Sequence, residues 1–368
     1  MSRLAYGSLA LLGYTYVGYP ALVALCARLA PMTIASDASY LPKVSVLIPV
    51  YNAARYVAPK LESLLAQDYP EGQLEILVYS DASDDGSDEA VRAFEGRGVK
   101  LVRGETRRGK PTALNVLREL ATGEVFVLTD IRQPLVPGAV RALVAPLADE
   151  RVGTVSGNLE LVGEAGAGAY WRYENFIRKQ EARFRGMCGV TGPLYAIRAR
   201  DLGEVPEDIV LDDMWIPLRL GLEGKKLVLA EQAVAYDEAF DDEREKGRRM
   251  RTLAGNFQIL ERLPALLSPR DNPTFFETAS HKVLRLAGPL MLGGAGLGAL
   301  SGALFGSSAR ERSRMRWLLL AEGGFAALAL LGGRAGAPGR LARTFVVLNT
   351  AAVEGFLKHV RTGQQVTW

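Results

Sequence analysis

Residues 4–27 carry no charged side chain, and neither do residues 286–309. Each run is 24 residues long, the first bounded by Arg3 and Arg28, the second by Arg285 and Arg310. A helix needs about 20 apolar residues to cross the hydrocarbon core of a bilayer. Two such runs near the two ends confine a water-exposed globular domain to what lies between them. Residues 317–333 form a third apolar segment whose one charge is Glu322. Residues 344–357 form a fourth, with Glu354 alone, short enough to be interfacial or re-entrant. The first run is too long for a signal-peptide core, is interrupted by Tyr14, Tyr16 and Tyr19, and lacks a clean small-x-small site, so it reads as an uncleaved anchor.

Composition narrows the classes. Of 368 residues, 48% are hydrophobic and 23% charged, which excludes a disordered or collagenous chain. The 44 basic and 41 acidic side chains nearly balance, at a net +3, unlike a general nucleic-acid binder. Cys26 and Cys188 cannot build a disulfide framework or a Cys-rich zinc site. His281 and His359 leave little room for a His-based metal centre, and His281, opening the second apolar run, reads as interfacial.

Residues 40–282 alternate strand and helix patterns. Residues 44–49, 74–80, 99–102 and 125–128 read as strands, the first a short buried β-branched run. Val57, Leu61, Leu64 and Leu65 fall at helical spacing. Further helices are expected over 84–94 and 112–121. Such alternation predicts a mostly parallel sheet whose ligand sits beyond the carboxyl ends of the strands. Strand one ends in Tyr51 and Asn52, strand two in the acidic stretch from Asp81 to Asp85, strand four in Asp130. Acidic residues thus share one sheet edge. No GxGxxG or GxxxxGK[ST] loop accompanies them, which disfavours a dinucleotide or P-loop fold.

An ordered series of strings spans the chain: VSVLIPVYN at 44–52, VYSDASDDGS at 78–87, RRGKPTALN at 107–115, LTD at 128–130, TGPLYAIR at 191–198, LDDMWIPLRL at 211–220 and RRMR at 248–251. In that order, between membrane segments, they resemble the membrane-bound glycosyltransferases of family 2, the group of cellulose, hyaluronan and poly-N-acetylglucosamine synthases. The resemblance implies an α/β GT-A domain, a mostly parallel twisted sheet flanked by helices, plus transmembrane and interfacial helices. It divides the chain into an anchor and linker (1–39), the GT-A domain with interface helices (40–282) and a C-terminal transmembrane region and tail (283–368). The implied activity is inverting transfer of a sugar from a nucleotide-sugar, foremost a UDP-sugar, to a membrane-associated saccharide or lipid-linked acceptor in polysaccharide or glycolipid synthesis. The implied location is the cytoplasmic side of the cell membrane, with membrane lipids and no nucleic acid as partners.

Residue by residue, the resemblance sets Asp81 against the nucleotide base, with Tyr51 and Asn52 in the nucleotide pocket. The residues alone also allow an Asp-rich turn that caps a helix. Lys110, at a helix start, suits a diphosphate; taken alone it also reads as a solvated member of the basic run Arg103, Arg107 and Arg108. Asp130 matches the first acid of the DxD motif and would hold a divalent metal, Mg2+ or Mn2+. The second acid of that motif is replaced by Arg132, which could contact phosphate directly. Thr191 and Gly192 join the substrate pocket. Asp212 and Asp213 match the acidic pair whose second member is the general base, so Asp213 is the expected base; the alternative is N-capping of the helix that begins near Met214.

Arg248, Arg249 and Arg251 stand in place of the family's (Q/R)xxRW motif, as cations for the leaving diphosphate or as a basic face on anionic lipid. The Trp of that motif is Thr252 here. That loss of an acceptor platform points to low processivity; a processive synthase and a catalytically degenerate membrane scaffold are the alternatives. The aromatic and basic stretch 170–187 suits an acceptor channel, the membrane surface or plain core packing. The tail 363–368 resembles the family's C-terminal Gly-x-x-x-Thr-Trp pattern. A cytoplasmic catalytic domain puts the loop with Arg310, Arg312, Arg314 and Arg316 outside, so that either this loop is an exception to the positive-inside tendency or the Gly-rich second run is a re-entrant hairpin.

Overall fold

A computed structural model of the chain describes residues 2–162, 168–238 and 242–362. The tail pattern at 363–368 lies outside these residues, as do the side chains of Arg248 and Arg249. The described residues fall into two compact units. One holds the sheet, from residues 23–238 and 258–277; the other is helical, from residues 2–22, 242–257 and 278–362.

The sheet has seven strands: β1 (Val44–Val50), β2 (Leu74–Ser80), β3 (Val99–Arg103), β4 (Val125–Thr129), β5 (Val152–Val162), β6 (Leu194–Arg198) and β7 (Lys226–Glu238). Their order is β3-β2-β1-β4-β6-β5-β7, and all pairings are parallel except those of β6. Every residue of β1 and β4 is buried, as expected for central strands covered on both faces. The connections carry helices α2 (Ala54–Leu65), α3 (Ser87–Arg92), α4 (Lys110–Leu120), α5 (Ala139–Val144), α6 (Gly168–Phe184) and α7 (Asp212–Leu222). α1 (Ser2–Leu29) precedes them, and α8 (Asp242–Arg262), α9 (Gly288–Phe305), α10 (Ala309–Leu331) and α11 (Gly336–Thr362) follow. Because β6 runs against β4, pairing Leu194 with Thr129, its entry loop 191–193 reaches the edge where β1, β2 and β4 end.

Glu75 clamps the opposite edge. Its Oε2 accepts from Ser45 Oγ at 2.6 Å and from Thr122 N and Oγ1 at 3.0 Å, while Oε1 meets Lys100 Nζ at 2.8 Å. Burial alone would raise its pKa, but these donors, Lys100 first, outweigh it and bring the carboxyl down from 4.5 to about 2. A folded-state pKa below the unfolded one contributes stability above the unfolded value and loses it as pH falls toward the folded one. Glu75→Gln is therefore expected to destabilise the sheet unit by about 1–3 kcal/mol at pH 7. The gap from wild type should close between pH 4.5 and pH 2; thermal melts across that range check it, and a constant gap would refute the clamp.

In the helical unit, α1 packs antiparallel on α9. A Cβ on Gly298 would lie 2.5 Å from the Ala5 backbone nitrogen, so only glycine lets the two backbones approach this closely. Ser8 meets Gly294 one turn along, which fixes the antiparallel sense. α10 and α11 fold back on one another, Phe325 meeting Phe345 at 5.6 Å around a turn with Gly332 and Gly336 at positive φ. Among the described residues three helical stretches are long and apolar enough to cross a membrane: Ser2–Leu29, Gly288–Phe305 and Ala309–Arg361. Their outer faces are apolar, with Leu330 89% exposed, which suits lipid better than water.

Two sequence expectations change. Residues 344–357 belong to the 27-residue helix α11, not to a short separate segment. Arg310, Arg312, Arg314 and Arg316 lie in the opening turns of α10, not in a loop, because Ser308 caps that helix by accepting from Glu311 N at 3.1 Å.

Candidate active site

The acidic stretch after β2 divides into two jobs. Asp81 is fully buried, and its two oxygens accept from the backbone nitrogens of Arg108 and Gly109, each at 2.8 Å. It thereby holds the loop that opens α4; Gly109 sits there at φ +93°, a conformation costly for other residues. Asp84 and Asp85 are structural. Asn52, at φ 45°, exchanges amide bonds with Asp84, its Nδ2 donating at 2.8 Å and its Oδ1 accepting from Asp84 N at 3.0 Å. Asp85 accepts from Ala54 N at 3.0 Å, so this turn caps the start of α2. Tyr51 lies under Arg107, whose guanidinium carbon is 3.9 Å from the ring centre.

At the head of α4, Lys110 Nζ lies 2.9 Å from Asp130 Oδ1 and 3.2 Å from Asp212 Oδ2. Burial works to lower the pKa of Lys110, but Asp130, Asp212 and Asp213 outweigh it and hold the ammonium well above its usual range. The hydroxyl of buried Tyr195 is pushed well above its ordinary pKa by burial and then by the same three acids. One cation thus joins carboxylates from the end of β4 and the start of α7.

Asp213 stands beside them in the first turn of α7. A Cβ on Gly192 would overlap its Oδ2, so the loop 191–193 lies directly against this carboxylate. That loop is itself held: Thr191 N donates to Ser156 Oγ at 2.9 Å, and Arg178 donates to the same oxygen at 3.1 Å. Burial lowers the pKa of Arg178, against Glu174, Glu181, Cys188 and Asp213.

Arg132 pairs with the buried carboxylate of Asp237 near the end of β7, and Gln133 Nε2 donates to the same oxygen at 3.0 Å. A phosphate reaching Arg132 would have to share it with Asp237. Lys60, on α2, is wholly buried and donates to Thr129 Oγ1 at 2.7 Å and Gln133 O at 2.6 Å. Burial brings its pKa down from 10.5 to about 7, against the opposing pull of Asp130.

The structure therefore gathers Asp130, Lys110, Asp212, Asp213 and Gly192 at one point, with Thr191 next to it and Asp81, Tyr51 and Asn52 along the same sheet edge. Arg251 and exposed Thr252 lie on α8, in its stretch within the helical unit. Sequence reasoning missed Lys60, Asp237, Ser156 and the part Arg178 plays in holding Ser156. Lys60 had a signal: it falls on the apolar stripe of Val57, Leu61 and Leu64, where a charge is out of place.

For a divalent cation the donor chemistry fits. Asp130 and Asp212 already converge on one cationic centre, the Lys110 ammonium, which lies 2.9 Å from Asp130 Oδ1 and 3.2 Å from the buried Asp212 Oδ2. Hard oxygen donors of this kind suit Mg2+ or Mn2+, which accept one or two protein carboxylates and take the rest from phosphate and water.

Residues 45–202 match the family model described as glycosyl transferase family 2. The chain is 30% identical over 144 residues to glycosyltransferase AglE of Haloferax volcanii, covering 39% of this chain and 47% of that protein. It is 33% identical over 90 residues to the poly(ribitol-phosphate) beta-N-acetylglucosaminyltransferase TarS of Staphylococcus aureus, covering 24% of this chain and 16% of TarS. The chain thus spans about half the length of the first of these relatives and far less of the second. Among solved structures, the mannosyltransferase PcManGT of Pyrobaculum calidifontis, in complex with GDP-Man and Mn2+, aligns over 98% of this chain and all of its own, at TM-score 0.76 and 27% identity. The sheet unit has the GT-A-like fold.

Proposed function

We propose that this chain, with its glycosyltransferase family 2 domain over 45–202, moves a sugar from a nucleotide-sugar to a hydroxyl of a membrane-associated saccharide or lipid-linked acceptor. The convergence of Asp130, Lys110 and Asp212 with Asp213 beside them carries this reading. In it, Tyr51 and Asn52 border the nucleotide, and Asp81 acts on it through the loop it anchors, which ends in Lys110. The Lys110 ammonium faces the diphosphate. Asp130, with Asp212 near, would hold Mg2+ or Mn2+, which when bound neutralises the diphosphate.

Asp213 takes the proton of the acceptor hydroxyl. The freed oxygen pair attacks the anomeric carbon, the bond from that carbon to the diphosphate oxygen breaks, and the nucleoside diphosphate leaves with that electron pair. A single displacement inverts the anomeric centre. Thr191 and Gly192 bound the acceptor side. The apolar helices anchor the enzyme, with the sheet unit on the cytoplasmic face. Thr252 offers the acceptor no aromatic face, so few sugars are added per encounter. Arg132 replaces an acid of the motif, but Asp237 balances its charge, which favours an active enzyme over a degenerate scaffold.

The test uses full-length protein in detergent with GDP-mannose and a panel of UDP-sugars, with Mn2+, Mg2+ or EDTA, reading released nucleoside diphosphate. One donor is expected to give release that EDTA abolishes. A panel in which no donor is bound or cleaved would establish the scaffold instead.

A further inference from the structure

We propose that Lys60 is a positioning residue that ties Asp130, on the donor side, to the 191–193 loop, on the acceptor side. The proposal rests on the reading of Asp130 as a metal and diphosphate contact. Lys60 grips both ends of the Asp130–Arg132 segment, through Thr129 Oγ1 at 2.7 Å and Gln133 O at 2.6 Å. Pro193 O is a carbonyl and can only accept, so the single proton of Thr129 Oγ1 goes to it at 2.7 Å. Thr129 Oγ1 therefore accepts from Lys60, whether that side chain is amine or ammonium. Pro193 O also accepts from Asp130 N at 3.3 Å. The relay thus has one direction, from α2 through the end of β4 to the residue after Gly192, whose Cα lies against Asp213. Gln133, the other acceptor, also binds Asp237 beside Arg132, so the same cation steadies the position where the second motif acid is missing. Removing Lys60 leaves the buried Gln133 carbonyl without this donor, which costs stability as well, so binding and kcat are read apart from melting. The geometry of Lys60 serves registration of two loops that come from strands of opposite direction.

The test compares Lys60→Met, Thr129→Val and Thr129→Ser with wild type, full length in detergent. Binding of Mn2+ with GDP and with UDP is read by calorimetry, alongside kcat and melting temperature. Groups that orient a metal ligand typically shift affinity or activity by about 10- to 100-fold. Lys60→Met is expected to weaken Mn2+-dependent nucleotide binding and lower kcat by that much. Thr129→Val should lower kcat similarly, and Thr129→Ser, which keeps the hydroxyl, should restore it. A Lys60→Met enzyme with shifted melting but binding and kcat within about twofold of wild type would overturn the proposal. If Lys60→Met does not fold, Thr129→Val with normal kcat overturns it equally. Asp130→Asn, run in parallel, separates the two readings: unchanged Mn2+-dependent binding there would sink the assignment of Asp130 itself.

Discussion

Asp213→Asn is expected to lower the rate of sugar transfer by about 10²- to 10⁴-fold, the usual contribution of a general base, while nucleoside diphosphate still binds within about threefold of wild type. Asparagine keeps the shape of the side chain, so the contact with Gly192 and the helix start survive. What disappears is the ability to take the acceptor proton. Neighbouring Asp212 is expected to behave differently: its carboxylate lies 3.2 Å from Lys110, and its loss changes the charge that the diphosphate meets. Asp212→Asn should therefore raise the donor KM as well as lower kcat, whereas Asp213→Asn should act on kcat and kcat/KM together. Single-turnover rates with separately measured nucleotide affinity distinguish them. Near-normal turnover by Asp213→Asn would remove it as the base.

How much of this was legible in the sequence depends on how local the cause is. β1 to β4 are short apolar runs, and all four expected strands form, within one residue at their carboxyl ends. β5 and β7 went unread for physical reasons. Gly153, Gly157 and Asn158 break the pattern of β5, and β7 carries Lys226, Glu231 and Gln232 among its apolar positions. The start of α10 is legible in sequence as a Ser-x-x-Glu box at 308–311, with Arg310 inside it and Arg312, Arg314 and Arg316 after it.

The site divides along the same line. Strand ends bring Asp81 and Asp130 to one edge, which alternation alone predicts. The meaning of Arg132 was not readable, because its partner Asp237 is 105 residues away on a strand with no clear signature. Lys60 and Thr129 are 69 residues apart, and nothing near Lys60 in sequence names its acceptor. Nor does the motif around Asp81 reveal that both its oxygens accept from backbone nitrogens of the loop that opens α4. An acid's presence in a motif tells which residue is needed, and only the tertiary pairing tells whether it touches a ligand or holds something that does.

The contact of Gly192 with Asp213 yields the second large effect. A methyl group on Gly192 would overlap Asp213 Oδ2 and stand 3.1 Å from its Cγ and 3.4 Å from its Cβ. The oxygen can swing aside, but Cγ and Cβ are close to the backbone of the first turn of α7 and cannot retreat far. Gly192→Ala is therefore expected to turn the carboxylate out of line with the acceptor hydroxyl. A misplacement of about 1 Å typically lowers the rate about 10²-fold, and overpacking of this kind costs about 1–3 kcal/mol of stability. Nucleotide binding should change little, since Asp81 and Lys110 are held by other bonds. A slowed enzyme could also result from general loosening of the 191–193 loop, so the decisive measurement is a double-mutant cycle. If Gly192 acts through the base, adding Gly192→Ala to Asp213→Asn should lower the residual rate by less than about threefold, because two changes acting on one group do not add. Full additivity would mean that the loop serves the acceptor by some route other than Asp213.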